Sequence, residues 1–354
     1  MAAATESQAP GYRWVIEALV FAMLIVQVMT WLAPAPILSP MVKSLGISLS
    51  AAGLIISIIA LCIGIFSFLG AVIIEHLGTL RTLLVGMWLM GVAEVASGFS
   101  GSFSTLLVCR VLEGIGYGMM IGPPAALVMQ WFSEREWPYI NMVNAVCAYV
   151  GITLVFATTP RVYYALGSSW HHVLVAYGIT AVAVAFLWTV LGRERQSATA
   201  GAATHTARDA SNLPEVLRMR GVILMAIALF GGMWVFQLYT AFLPEFFRTQ
   251  RGMSLDEAAG LTAVLPLAGI FAAAAGGIGT GIVGLRRPFL WPMAILTLLG
   301  CAGAVLIPDV NAIRLSLVLV GIGASGGLAA INEKMARVVD LRRTRRNRGA
   351  SSSL

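Results

Sequence analysis

Residues 105–130 read TLLVCRVLEGIGYGMMIGPPAALVMQ, an apolar run in which Arg110 and Glu113 are the only charged side chains. About 20 apolar residues carry a helix across a bilayer, so this stretch is long enough to span one. Gly114, Gly118 and Gly122 recur at i, i+4 and i+8. That spacing leaves one helix face smooth and lets a neighbouring helix approach closely. An arginine inside such a span costs at least about 2.5 kcal/mol on insertion scales and marks an ion pair or a pathway. Glu113, three residues on, can share its face.

The whole chain repeats this character. Of 354 residues 58% are hydrophobic and 11% charged, with a mean hydropathy of +0.86; a soluble domain carries about a quarter charged residues. The composition excludes a soluble enzyme, a disordered chain and a disulfide-stapled secreted domain. The net charge of +7 is not a nucleic-acid footprint, because Glu333 to Leu354 alone holds seven basic residues against two acids. Cys62, Cys109, Cys147 and Cys301 all lie in apolar stretches and read as small hydrophobes. The polar N-terminus, residues 1–14, lacks the basic start and cleavage site of a signal peptide.

Apolar runs bounded by Gly, Pro or charge predict ten spans, near 15–38, 49–74, 82–98, 105–130, 139–159, 171–191, 221–244, 257–281, 288–307 and 311–332. A polar connection over 192–220 separates six helices (15–191) from four (221–332), and an Arg-rich tail occupies 333–354. With the N-terminus inside, 17 Lys and Arg fall on the cytoplasmic side and five on the other. The expected topology therefore puts both termini in the cytoplasm of a multi-pass protein of the cell membrane. Trp14, Trp131, Trp137, Trp170 and Trp291 near span ends suit an interfacial aromatic belt.

Between the second and third spans the chain reads Ala71 to Arg81, with Glu75, Gly78 and Arg81 in a tight polar turn; glycine permits a positive φ there. A related loop follows the eighth span, from Gly277 through Gly284 to Arg286 and Arg287. Two such loops at matching places indicate an internal repeat. Together with Arg110 and the glycines after it, the pair resembles the major facilitator superfamily, whose loop signature is Gly-x-x-x-Asp-Arg-x-Gly-x-Arg-Arg. The first copy departs from it at Ala71, Glu75 and His76; the second has Gly281 at the acidic position.

The resemblance implies an all-α integral membrane bundle, with six N-terminal and four C-terminal transmembrane helices here, and secondary transport of a small solute by alternating access. It puts the first, fourth, seventh and tenth helices around a cavity. The polar and aromatic candidates on them are Gln27 and Trp31, then Arg110 and Tyr117, then Trp234, Gln237 and Tyr239. Arg110 either faces that cavity, meeting an anionic substrate or gating a coupling proton with Glu113, or pairs with Glu94. Glu94 lies about as far before the turn at Phe99 to Ser104 as Arg110 lies after it. The loop residues Glu75, Gly78, Arg81, Gly277, Gly284, Arg286 and Arg287 take the family's gating role.

Two motifs are set aside. Residues 279–284 spell G-x-G-x-x-G but follow a membrane helix rather than a strand. Ser325, in Gly-Ala-Ser-Gly, has no histidine base after it. No cluster has metal-ligand spacing, and no cofactor, metal or nucleic-acid partner is expected; the partners are the bilayer, a small and anionic substrate, and a coupling proton. The family has two further helices, so the change at Asn332 from apolar helix to Arg-rich tail reads as a truncation that impairs transport. The alternatives are a genuine basic tail on anionic lipid and a real ten-helix protein. From another functional class, the competing reading is a non-transporting membrane protein, a defective paralogue or an interaction partner.

Overall fold

The computed structural model describes residues 11–133, 135–195, 220–283 and 287–325. Most of the central connection, the loop residues Gly284 and Arg286, the tail 333–354, and the side chains of Gly277, Arg287 and Trp291 lie outside the described residues. The chain divides into two compact units, Met1–Arg208 with Pro244–Ala259, and Asp209–Leu243 with Gly260–Leu354. All regular elements among the described residues are α-helices.

The first unit contains α1 (Tyr12–Leu32), α2 (Leu38–Leu45), α3 (Leu49–Leu77), α4 (Thr79–Ser97), α5 (Phe103–Met119), α6 (Pro123–Trp131), α7 (Trp137–Ala165) and α8 (Trp170–Leu191). Beyond these come α9 (Arg220–Arg251), α10 (Leu255–Thr262), α11 (Val264–Val283), α12 (Arg287–Leu306) and α13 (Val310–Ser325). Among the described residues, seven helical stretches are long and apolar enough to cross a membrane, and two shorter apolar helices cover 292–306 and 310–325.

Local chemistry sets where the predicted spans break. The first ends at Leu32 rather than residue 38, because Pro34 and Pro36 cannot continue the hydrogen-bond ladder. A short α2 follows, closed by Gly46 at φ +62°. The fourth span is two helices: α5 stops at Met119, and Pro123 and Pro124, in the first turn of α6, start anew. The eighth is likewise divided between α10 and α11, and α9 runs to Arg251.

Between α3 and α4 a single residue, Gly78, makes the turn at φ +81°, ψ 166°. Only glycine occupies this region readily, and other residues pay about 1–3 kcal/mol. Gly78→Ala is therefore expected to lower stability by about that amount, read as a lower melting temperature of the purified protein.

Small residues bring the helices together. A Cβ on Gly114 would lie 2.6 Å from Cys62 Cβ, and one on Gly118 2.7 Å from Phe66 Cβ, so the glycine stripe of α5 seats α3. Gly116, on another face, meets Gly86 of α4 reciprocally: a Cβ on either would come within 2.6–2.7 Å of the other's carbonyl oxygen. Gly178 of α8 packs on Val95 of α4 in the same way. The core of the first unit joins Ile16, Val20 and Met23 of α1 to Leu83, Met87 and Met90 of α4 and Ala181, Ala185 and Trp188 of α8. Trp188 is fully buried and donates its indole N–H to the Leu19 carbonyl at 3.1 Å.

Two of the tryptophans assigned to the aromatic belt lie inside the protein instead. Trp131 and Trp170 are 6% and 3% exposed, and Trp131 donates to the Arg193 carbonyl at 3.2 Å, whereas Trp14 is 54% exposed. In the second unit, Tyr239 of α9 donates to the Cys301 carbonyl of α12 at 2.8 Å, and Gly300 and Gly323 let α12 and α13 approach closely.

At one end of the first unit Glu136, just before α7, accepts from the Ser133 backbone N–H (3.0 Å) and hydroxyl (2.8 Å) and pairs with Arg13 at 3.0 Å. The Ser133 backbone hydrogen bond, its hydroxyl and the Arg13 guanidinium hold this carboxyl below its ordinary value of 4.5. A lowered value stabilises the fold at neutral pH, and that contribution disappears as acid takes the pH through it. Glu136→Gln is expected to lower the melting temperature at neutral pH, with the difference from wild type closing in strong acid.

Candidate functional site

The turn at Gly98–Ser102 folds α5 back along α4, and the Gly86–Gly116 contact sets the two helices close together. Glu94, near the end of α4, then meets Arg110, two turns into α5. Arg110 Nη2 lies 3.0 Å from Glu94 Oε2, and Nη1 lies 2.8 Å from Glu113 Oε2. Nη1 also donates to the Thr30 carbonyl of α1 at 3.2 Å. All three side chains are 0% exposed.

The pairing is incomplete. Arg110 Nε and Nη2 have no hydrogen-bond acceptor, and neither Glu94 oxygen nor Glu113 Oε1 has a donor, so the contact between Arg110 and Glu94 is an ion pair without a hydrogen bond. Two carboxylates against one guanidinium give the cluster a formal charge of −1, which one proton would cancel. Such a group is held by mutual electrostatics in low dielectric, where losing one member leaves an uncompensated charge.

The α1 candidates converge on the same place. Gln27 Nε2 donates to the Tyr117 carbonyl at 3.3 Å, and the Thr30 hydroxyl donates to the Gln27 carbonyl at 3.1 Å. Trp31 stacks edge-on against the Tyr117 ring with centroids 5.5 Å apart, and its indole donates to the Ile56 carbonyl of α3 at 3.1 Å. Gln27, Trp31, Glu94, Arg110, Glu113 and Tyr117 thus form one connected group on α1, α4 and α5.

The α9 candidates belong to the second unit. Trp234 is 60% exposed, Gln237 is half-buried beside Thr240, and Tyr239 is engaged with Cys301. Glu75 and Arg81 flank Gly78 and are exposed. The Thr30 carbonyl, a ligand of Arg110, carries no side-chain signal and was missed in the sequence. Glu17 was also missed, although an acid inside an apolar run is itself a signal.

The sequence matches the family model of the Major Facilitator Superfamily over residues 19–354. The chain belongs to this superfamily. Among curated proteins it is similar to the hexuronate transporter of Bacillus subtilis, 24% identical over 238 residues, which cover 66% of this chain and 56% of that one. It is also similar to the probable sulfoacetate transporter of Cupriavidus necator, 23% identical over 257 residues, 68% of this chain and 58% of that one. The chain therefore spans little more than half the length of these relatives. Among solved structures, a bacterial homologue of the human lysosomal transporter Spinster matches with a TM-score of 0.74 at 16% identity, over 92% of this chain and 75% of that one. At that identity the match speaks for the fold, which is that of the major facilitator transporters.

Proposed function

We propose that this major facilitator protein moves a small organic anion across the cell membrane by proton-coupled alternating access, with Glu94, Arg110 and Glu113 as the coupling centre. The observation that carries this reading is the fully buried guanidinium shared by two carboxylates. While both carboxylates are ionised they occupy Arg110. A proton on either one weakens its hold and frees an edge of the guanidinium, whose planar fork suits a carboxylate or sulfonate. Anion and proton then enter together and the charge of the cluster is unchanged. Gln27, Trp31 and Tyr117 stand beside Arg110 to receive the uncharged part of the solute.

The named relatives support the anionic class, since a hexuronate and sulfoacetate both carry an acid group. The excess of Lys and Arg on one side supports termini in the cytoplasm. Uptake of a hexuronate into proteoliposomes tests the reading: an inward proton gradient is expected to accelerate it, and Glu113→Gln to abolish that acceleration. Uptake indifferent to the gradient in both proteins would remove the proton from the account.

A further inference from the structure

Glu17 lies one turn beyond Arg13 on α1 and is 2% exposed. Arg13 makes no ion pair with it: one terminal nitrogen is paired with Glu136, the guanidinium is stacked over Trp14 and Phe132, and Nε has no acceptor. Neither carboxylate oxygen of Glu17 receives a hydrogen bond from a donor in the geometry of the fold, and no ion pair is formed by it among the described residues. Asn144 of α7 lies within hydrogen-bonding reach of Glu17; its amide N–H favours the carboxylate from there, but makes no hydrogen bond of good geometry to it, and its Oδ1 lacks a donor. Cys147, one turn further along α7, is a titratable group close to it.

The seam is tight. Further along it Gly151 of α7 allows Ile25 to approach, so that a Cβ there would lie 2.9 Å from the Ile25 carbonyl oxygen. The remaining helices around α1 bring no compensating charge. From α8 it meets Trp188, already bonded to Leu19, and neither α8 nor α6 contains an Asp, Glu, Lys or Arg. On α3 the charged and imidazole groups, Glu75 and His76, are exposed at the end of the helix, and the remaining titratable group is the buried thiol Cys62. The Arg110 cluster meets α1 at Thr30, about 20 Å along the helix from Glu17 at about 1.5 Å per residue.

An ionised carboxylate this buried and without an ion-pair partner is strongly disfavoured. A proton on Glu17 removes the buried charge and, donated to Asn144 Oδ1, also gives that oxygen a donor, leaving one carboxyl oxygen unpartnered. We infer that Glu17 is a second proton-binding site, separate from the Arg110 cluster, in which the neutral carboxyl donates to Asn144 Oδ1 across the α1–α7 seam. The step is protonation alone: carboxylate plus a proton from water gives the carboxylic acid, with no other reactant. The seam is closed with the proton in place, and loss of the proton requires water to enter it. The site stands on the geometry of one unit and does not depend on the transport reading.

Infrared difference spectroscopy of the full chain in liposomes tests it without any substrate. At neutral pH, wild type minus Glu17→Gln is expected to show the carbonyl stretch of one protonated carboxyl group. That band is expected to persist in Glu94→Gln and Glu113→Gln variants and to be indifferent to added sodium. Asn144→Leu, which leaves Glu17 in place, is expected to move the band towards that of a carboxyl without a hydrogen bond. A carboxylate signature at neutral pH, or an Asn144→Leu band that does not move, would overturn the proposal. Loss of the band on adding sodium would overturn it as well, by assigning the three oxygens to a metal cation.

Discussion

Replacing Arg110 with leucine is expected to destabilise the protein by about 3–5 kcal/mol, the usual cost of removing one partner from a buried ion pair. The effect is large because Glu94 and Glu113 are both 0% exposed and would be left without their shared cation. Leucine is similar in its apolar bulk, so lost packing contributes little. The triple variant Glu94→Gln, Arg110→Leu, Glu113→Gln separates the two effects, because it removes the charges together and is expected to recover most of the stability while lacking transport. Thermal unfolding of the three proteins in the same detergent measures this. An Arg110→Leu protein as stable as wild type would show that the cluster is not held by its charges.

A comparably large effect is expected from Gly116→Leu. A Cβ at this position would lie 2.6 Å from the Gly86 carbonyl oxygen and 2.8 Å from the Met90 backbone nitrogen. Both are backbone atoms, so no side-chain rotation relieves the clash and α5 must move away from α4. Overpacking of a close-packed interior typically costs about 1–3 kcal/mol, and a backbone contact lies at the upper end or beyond. The shift also separates Glu94 from Arg110, now 3.0 Å apart, so uptake is expected to fall with stability. Gly64→Ala is the control: nothing lies within 4 Å of a Cβ there, and alanine is favoured over glycine inside a helix by roughly 0.5–1 kcal/mol. A melting temperature lowered by Gly116→Leu and held or raised by Gly64→Ala is the expected pattern.

Much of this arrangement could be read from the residues. The all-helical fold, the Gly78 turn and the smooth α5 face each follow from a local rule, and the structure places them accordingly. The Glu94–Arg110 pairing was one of two open readings, resting on equal distance from one turn. What escaped did so for identifiable reasons. Hydropathy runs on through Met120–Gly122 and through Ala263, so averaging hides breaks made by backbone geometry rather than polarity. Trp131 and Trp170 sit at span ends, where the amphipathic indole favours the interface, but the burial of each is decided by neighbouring helices. Thr30 acts through its carbonyl, which every residue possesses. Glu17 is masked by its nearness to the start of the first span, where an acid ordinarily reaches water.

In the proposed mechanism a proton and an anion share the Arg110 cluster. That sharing is tested most directly by following external pH when a hexuronate is added to proteoliposomes with no imposed gradient. The medium is expected to become more alkaline as anion enters, one proton for each, and Glu94→Gln with Glu113→Gln is expected to abolish the pH change. Anion entry by the folded wild-type protein with no accompanying proton movement would contradict it.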